Sequence, residues 1–290
     1  MAAIETNTKI SMHIRSNSFP SAPHPVLSQF EGHLNRLKSS EAASSSSSIS
    51  HKLGGLQDLY DCTDTVLQLS TIKQALAQEC NEKSVDKLLE GSLVLLDICC
   101  TAKDCLLQSK ETIQGLHSVL RRRGSETSGF TIESGKYLAS RKKMKKEIKK
   151  ALANLKGTLK DSSTNEQNEA LSMLSILKEA EAVAVNSLES LLLFVSDSKR
   201  HLKQRRWSVI SKLMQPKKIT CVSEQSDINE FEEVDAALES LISHKHSSVQ
   251  NLQTHLGNLE LCIQDLEEGI ESLSRQLIRT RVFLLNIFNQ

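Results

Sequence analysis

Histidines flank a lysine at His244-Lys245-His246, acids pair at Glu232-Glu233 and Glu267-Glu268, and seven cysteines stand at 62, 80, 99, 100, 105, 221 and 262. These residue types bind metals, move protons or act as nucleophiles, but their spacing here serves none of those ends. Residues two apart on a helix point to different faces, so His244 and His246 read as a solvated surface rather than a ligand pair. Acid pairs are common on solvated faces, and carboxylate catalysis needs groups that converge in a cleft. The cysteine count is odd and no C-x-x-C occurs, so reduced, buried thiols of an intracellular protein are expected rather than disulfides or zinc. "SGKYLAS" (134–140) has a Gly-Lys without the glycine spacing of a phosphate loop. No H-E-x-x-H, dinucleotide fingerprint or nucleophile elbow is present. The expectation is a protein that is not an enzyme, with no catalytic, cofactor-binding or metal-binding residues and no cofactor.

Concentrated charge is the chemistry that remains. Between Arg141 and Lys150 stand seven basic residues and one acid, Glu147. Met144, Ile148, Leu152, Leu155 and Leu159 recur beneath them at helical spacing. The stretch is thus an amphipathic helix with a narrow apolar stripe and a broad basic back. The back is either a solvated bundle face or a contact for an acidic protein or anionic lipid. Arg141, Lys142, Lys143, Lys145, Lys146, Lys149 and Lys150 are the candidate contacts. A second basic site is "RRWS", where Arg205 and Arg206 precede Trp207, the only tryptophan. Trp207 reads as a buried anchor or as an interfacial contact. Net charge is only +1, so any electrostatic partner is recruited locally. Only Tyr137 offers an aromatic ring near the lysines, and nucleic acid is not expected. Ser18, Ser125 and Ser208 each follow an arginine by three positions and are candidate phosphorylation sites, where a phosphate would reverse local charge.

These residues must be carried by helices. All four prolines lie at 20, 23, 25 and 216, leaving two long proline-free tracts rich in Leu, Lys, Glu, Gln and Ala. Aromatics are 3% of the chain, so the core must be aliphatic. The fold expected is all-α, a multi-helix antiparallel bundle of long helices. Residues 1–25 read as a disordered Ser/Pro-containing tail, and 26–290 as one helical domain with a Ser-rich connector at 39–50 and a charged hinge at 203–230. Helical patterns run to about 78, from 81 to Arg123, over 134–160 and over 165–202. "LRRRG" makes a helix end suited to the dipole and a glycine cap.

The last helix should run unbroken from after "SEQSDINE" nearly to the C-terminus. Its seam begins Phe231, Val234, Leu238, Leu241, passes through Lys245 and Ser248, and resumes at Leu252. Such a coiled-coil-like seam packs within the chain or, alternatively, against a second copy. Eight basic residues without an acid fill Lys199–Lys218, and seven acids without a base fill Glu224–Glu239. The two blocks either neutralise one another or serve partners. No run approaches the roughly 20 apolar residues of a membrane span, and no signal-peptide core is seen. An intracellular, mainly cytoplasmic location is expected, with the membrane periphery or plastid as alternatives.

Long phrases then resemble one family in order: "RSNSFPSAPHPVLSQFEGHLNRLKSSEAASSSSS", "KLGGLQDLYDC", "LLEGSLVLLDICCTAKD", "LRRRG", "KYLASRKKMKKEIKKALANLK", "RRWSVISKLM", "NEFEEVDAALESL" and "LEEGIESLSRQLIRTRVFLLNI". The chain resembles the plant-specific BYPASS-like (BYPASS-related) domain-of-unknown-function family over about 14–288. The resemblance implies a helical plant protein associated with root and shoot development, and a link to a root-derived signal that restrains shoot growth. It supplies no catalytic residue. The expected role is a non-enzymatic interaction protein in developmental signalling with an unidentified protein partner. The alternative is a peripheral protein on anionic membrane.

Overall fold

The computed structural model describes residues 24–39, 45–79, 81–122, 127–161, 173–196, 229–243 and 249–289. Eight helices occupy them: α1 (Pro25–Ser39), α2 (Ser46–Gln68), α3 (Ser70–Glu79), α4 (Glu82–Arg121), α5 (Thr127–Asp161), α6 (Met173–Ser196), α7 (Glu230–Ile242) and α8 (Val249–Phe288). No strand occurs among the described residues, and the all-α expectation holds.

Local chemistry sets several boundaries. Pro25 opens α1, in the first turn, where an N–H has no helical partner to lose. The α2 helix starts inside the Ser-rich connector: the Ser45 side chain caps it by accepting from the Ser48 N–H at 3.3 Å, and Ser46–Ser50 are helical. Asn81 caps α4 in the same way from the Ser84 N–H at 2.8 Å. Asn229 caps α7 from the Glu232 N–H at 2.8 Å, while Glu230, Glu232 and Glu233 place negative charge on its first turn.

Two expected helices are divided. The pattern running to about 78 breaks at Leu69, whose ψ of 127° is extended. Neither glycine nor proline marks the place; α3 turns there to pack on α6 and α8. The final helix is two helices, because the chain turns at Ser243 where the seam loses its apolar residues. The α7 and α8 helices then fold back on each other, and His255 meets Glu233 at 3.0 Å across the hairpin. Lys245, Ser248 and both histidines of the His-Lys-His stretch lie outside the described residues.

The α8 helix is the spine. Its seam from Leu252 through Leu277 is buried, and it packs on α4, α2 and α7. Against α4 it runs antiparallel, since Lys110 meets Glu267 at 2.6 Å and Arg281 donates to the Leu89 carbonyl. Against α2 it runs parallel: Gln57 donates to the Gly269 carbonyl at 3.1 Å, and Thr280 donates to Asp64. Gly269 permits this approach, because a Cβ there would stand 3.0 Å from the Leu53 side chain. The α6 helix, apolar around most of its circumference, lies within the bundle against α4, α2 and α5. Buried side chains from all eight helices join in one aliphatic cluster, with Phe194 and Phe231 meeting edge to face at 6.0 Å.

Candidate functional site

The α5 helix separates its apolar stripe from its charge. Met144, Ile148 and Leu155 are buried and Leu152 packs beside them, while the Leu159 side chain is outside the described residues. On the opposite side Lys142, Lys143, Lys146, Lys149 and Lys150 are exposed, and none forms an ion pair with a described residue. From Lys142 to Lys150 the exposed side chains are those lysines and Glu147 alone. The strip is therefore a dense, solvated array of cations on a helix anchored from behind.

Arg141 does not belong to that strip. It is 3% exposed, and its place three residues before Met144 and seven before Ile148 puts it on the buried face. Its Nε lies 3.2 Å from Asp235 Oδ1, and one Nη lies 3.2 Å from Oδ2. The other Nη donates to the Val195 carbonyl at 2.8 Å, and the guanidinium stacks over Phe231 at 4.7 Å. Tyr137 donates its hydroxyl to Asp235 Oδ1 at 2.9 Å, and Lys145 reaches Oδ2 at 3.2 Å. Lys145 is thereby only half a member of the exposed array.

This cluster ties three helices together. Val195 and Phe194 end α6, where carbonyls lack helical partners. Arg141 satisfies one, and Asn229 Nδ2 donates to the other at 2.9 Å. Burial, and secondarily Asp235, pushes the Tyr137 phenol well above its ordinary range, so it stays a donor. With Asp235 saturated by three donors and Arg141 enclosed, the cluster is an anchor that fixes the angle at which α5 presents its lysines. Sequence reasoning missed it, although a signal existed. Tyr137 and Arg141 continue the Met144–Ile148 stripe backwards by steps of four and three.

The other candidates separate. Arg205, Arg206, Trp207, Ser18, Ser125 and Ser208 lie outside the described residues, as does the basic block 199–218. Part of the acidic block is taken up by the bundle: Asp235 by Arg141 and Lys145, Glu233 by His255. Glu267, expected on a solvated face, is 15% exposed and pairs with Lys110. Cys99, Cys105 and Cys262 are buried free thiols, and burial first of all pushes them to about 12, 11 and 12. Cys62 is half-buried and Cys100 is exposed, against the expectation of uniformly buried thiols. No cluster of three His, Cys, Asp or Glu able to hold a metal occurs among the described residues.

Helices packed around an aliphatic core, with a saturated polar anchor behind a cationic strip, define a helical bundle protein with an ordered charged face. No helix among the described residues is long and apolar enough to cross a membrane. The family described as Protein BPS1 matches residues 52–287, and the chain belongs to that family. This bears out the BYPASS-like resemblance over α2 to α8; the N-terminal phrases lie before the matched span. No curated protein and no solved structure matches the chain.

Proposed function

We propose that this protein is a non-enzymatic interaction protein whose α5 lysine strip docks an acidic protein surface, and that it serves the plant developmental signalling its family resemblance implies. One observation carries the reading. Lys142, Lys143, Lys146, Lys149 and Lys150 have no ion pair with a described residue, on a helix whose other face is held by the Arg141–Asp235 anchor. Cations held this close repel one another, and an acidic partner relieves that repulsion. A protein surface is favoured over lipid because the strip offers no apolar or aromatic side chain to insert among acyl chains, and charge alone gives weak, salt-sensitive membrane binding.

The test is purification of the tagged chain from plant tissue beside a variant neutralised at those five lysines. Lys145 and Arg141 are kept, since they belong to the anchor. A near-stoichiometric protein present with wild type and lost with the variant supports the reading. Equal recovery with both, an untagged copy of the chain included among the proteins compared, rejects it. Sedimentation of wild type, but not the variant, with vesicles of phosphatidylserine at physiological salt would move the reading to the membrane.

A further inference from the structure

The α4 helix carries a second pattern on the face turned away from the core. Glu90, Asp97, Asp104 and Glu111 recur every seventh residue, interleaved with Leu93, Cys100 and Leu107 at the same repeat. The combined steps alternate three and four, the spacing of a helix-packing seam. All seven side chains are exposed, Leu93 and Leu107 by 46% each, and none of the four acids has an ion pair with a described residue. A seam of this regularity normally lies against another helix, and here it lies open.

The exposed face of α5 has the same geometry with the opposite charge. Gly135, Ala139, Lys142, Lys146, Lys149 and Ala153 step by four and three, and all are exposed. The two helices are antiparallel neighbours: Ser109 meets the Met144 sulfur at 3.7 Å, and Val119 stands 3.8 Å from a Cβ built on Gly129. Both pack on α6. On α4 the side chains that meet α6 and those that meet α5 point away from the acidic seam, and on α5 the lysines likewise lie opposite Arg141 and Tyr137. The α4–α5 pair thus carries an anionic and apolar stripe on the outer side of one helix and a cationic stripe on the outer side of the other.

We propose that the occupant of these stripes is a second copy of the chain, giving a symmetric dimer in which α4 of each copy lies along α5 of the other. This rests on the reading that the lysine strip is a docking site, and it names the partner. Charge selects the symmetry. A two-fold axis perpendicular to the helices would set α4 on α4, acid against acid. An axis parallel to them sets α4 on the partner's α5 and leaves every residue at its own level along the axis. Counting from the Ser109–Met144 and Val119–Gly129 contacts, Asp104 then falls on the turn holding the partner's Lys146 and the partner's Lys149. Glu111 falls within a turn of the partner's Lys142. Leu107 lies against the aliphatic stems of the lysines, and Gly135, Ala139 and Ala153 leave room for close approach.

Two charge-reversed full-length variants test it: D97K/D104K/E111K and K142E/K146E/K149E. Sedimentation at 50 mM salt should give wild type at twice the 32.2 kDa of one chain, with at least a tenfold weaker dimer at 0.5 M salt. Each variant alone should be monomeric, with unchanged helical circular dichroism. An equimolar mixture should recover the dimer, because in the mixed pair both contacts again join opposite charges. Wild type that stays monomeric to 100 µM overturns the proposal, as does a dimer that both variants keep. The five-lysine purification scores the docking reading separately: a different acidic protein lost from that variant leaves the strip a docking site while the second copy fails as its occupant.

Discussion

Arg141 on α5 holds Asp235 on α7 through two nitrogens at 3.2 Å, although ninety-four positions separate them in the chain. Asp235 is 16% exposed, so each charge depends on the other in a poorly solvated place. Replacing Arg141 with methionine keeps much of the volume, leaves Asp235 to Tyr137 and Lys145 alone and frees the Val195 carbonyl. The expected loss is about 3–5 kcal/mol in urea unfolding, typical of breaking a buried pair from one side. Asp235→Asn should cost less, because the amide still accepts from Tyr137. A double-mutant cycle measures the coupling.

The exposed lysines should behave in the opposite way. Lys142→Glu, Lys146→Glu and Lys149→Glu each reverse one charge in a crowded cationic strip and touch nothing buried. Stability should change by less than about 0.5 kcal/mol per site. The contrast between Arg141 and Lys142, adjacent in sequence, is read directly from two urea titrations.

Asn229 does two jobs, accepting from the Glu232 N–H and donating to the Phe194 carbonyl. Asn229→Ala removes both and should cost roughly 2–3 kcal/mol, a lost cap plus an unsatisfied buried carbonyl. Asn229→Asp keeps the cap but loses the donor, so it should recover only part of that loss. Thermal unfolding of the three proteins ranks them.

Glu181 should give the bundle a pH dependence. It faces a cavity of about 30 Å³ lined by Tyr60, Leu88 and Leu177, among others. Burial pushes its carboxyl from 4.5 up to about 7, against a smaller opposing pull from Lys178. Between those values the folded chain keeps a proton that the unfolded chain has lost. This carboxyl's contribution to stability therefore falls as pH rises through the window, and the penalty is complete above about 7. Glu181→Gln should match wild type near pH 4.5 and exceed it by roughly 2–3 kcal/mol at pH 8. Urea midpoints across that range check the sign.

The sequence alone determined that this chain is helical, because proline confined to four positions, abundant helix formers and apolar steps of three and four are local properties of the chain. It also determined the buried stripe of α5 and the α8 seam, since one helix's periodicity states which face must leave water. The break at Leu69 and the split of the last helix depended on packing with distant elements, for which no local residue is obligatory. The fate of each charge was likewise a tertiary matter. Arg141 and Lys142 have the same sign and adjacent positions, but a rotation of about 100° sends one to Asp235 and the other to solvent. Periodicity says which face is buried; only the assembled bundle supplies the carboxylate, carbonyl and ring that make a buried guanidinium tolerable.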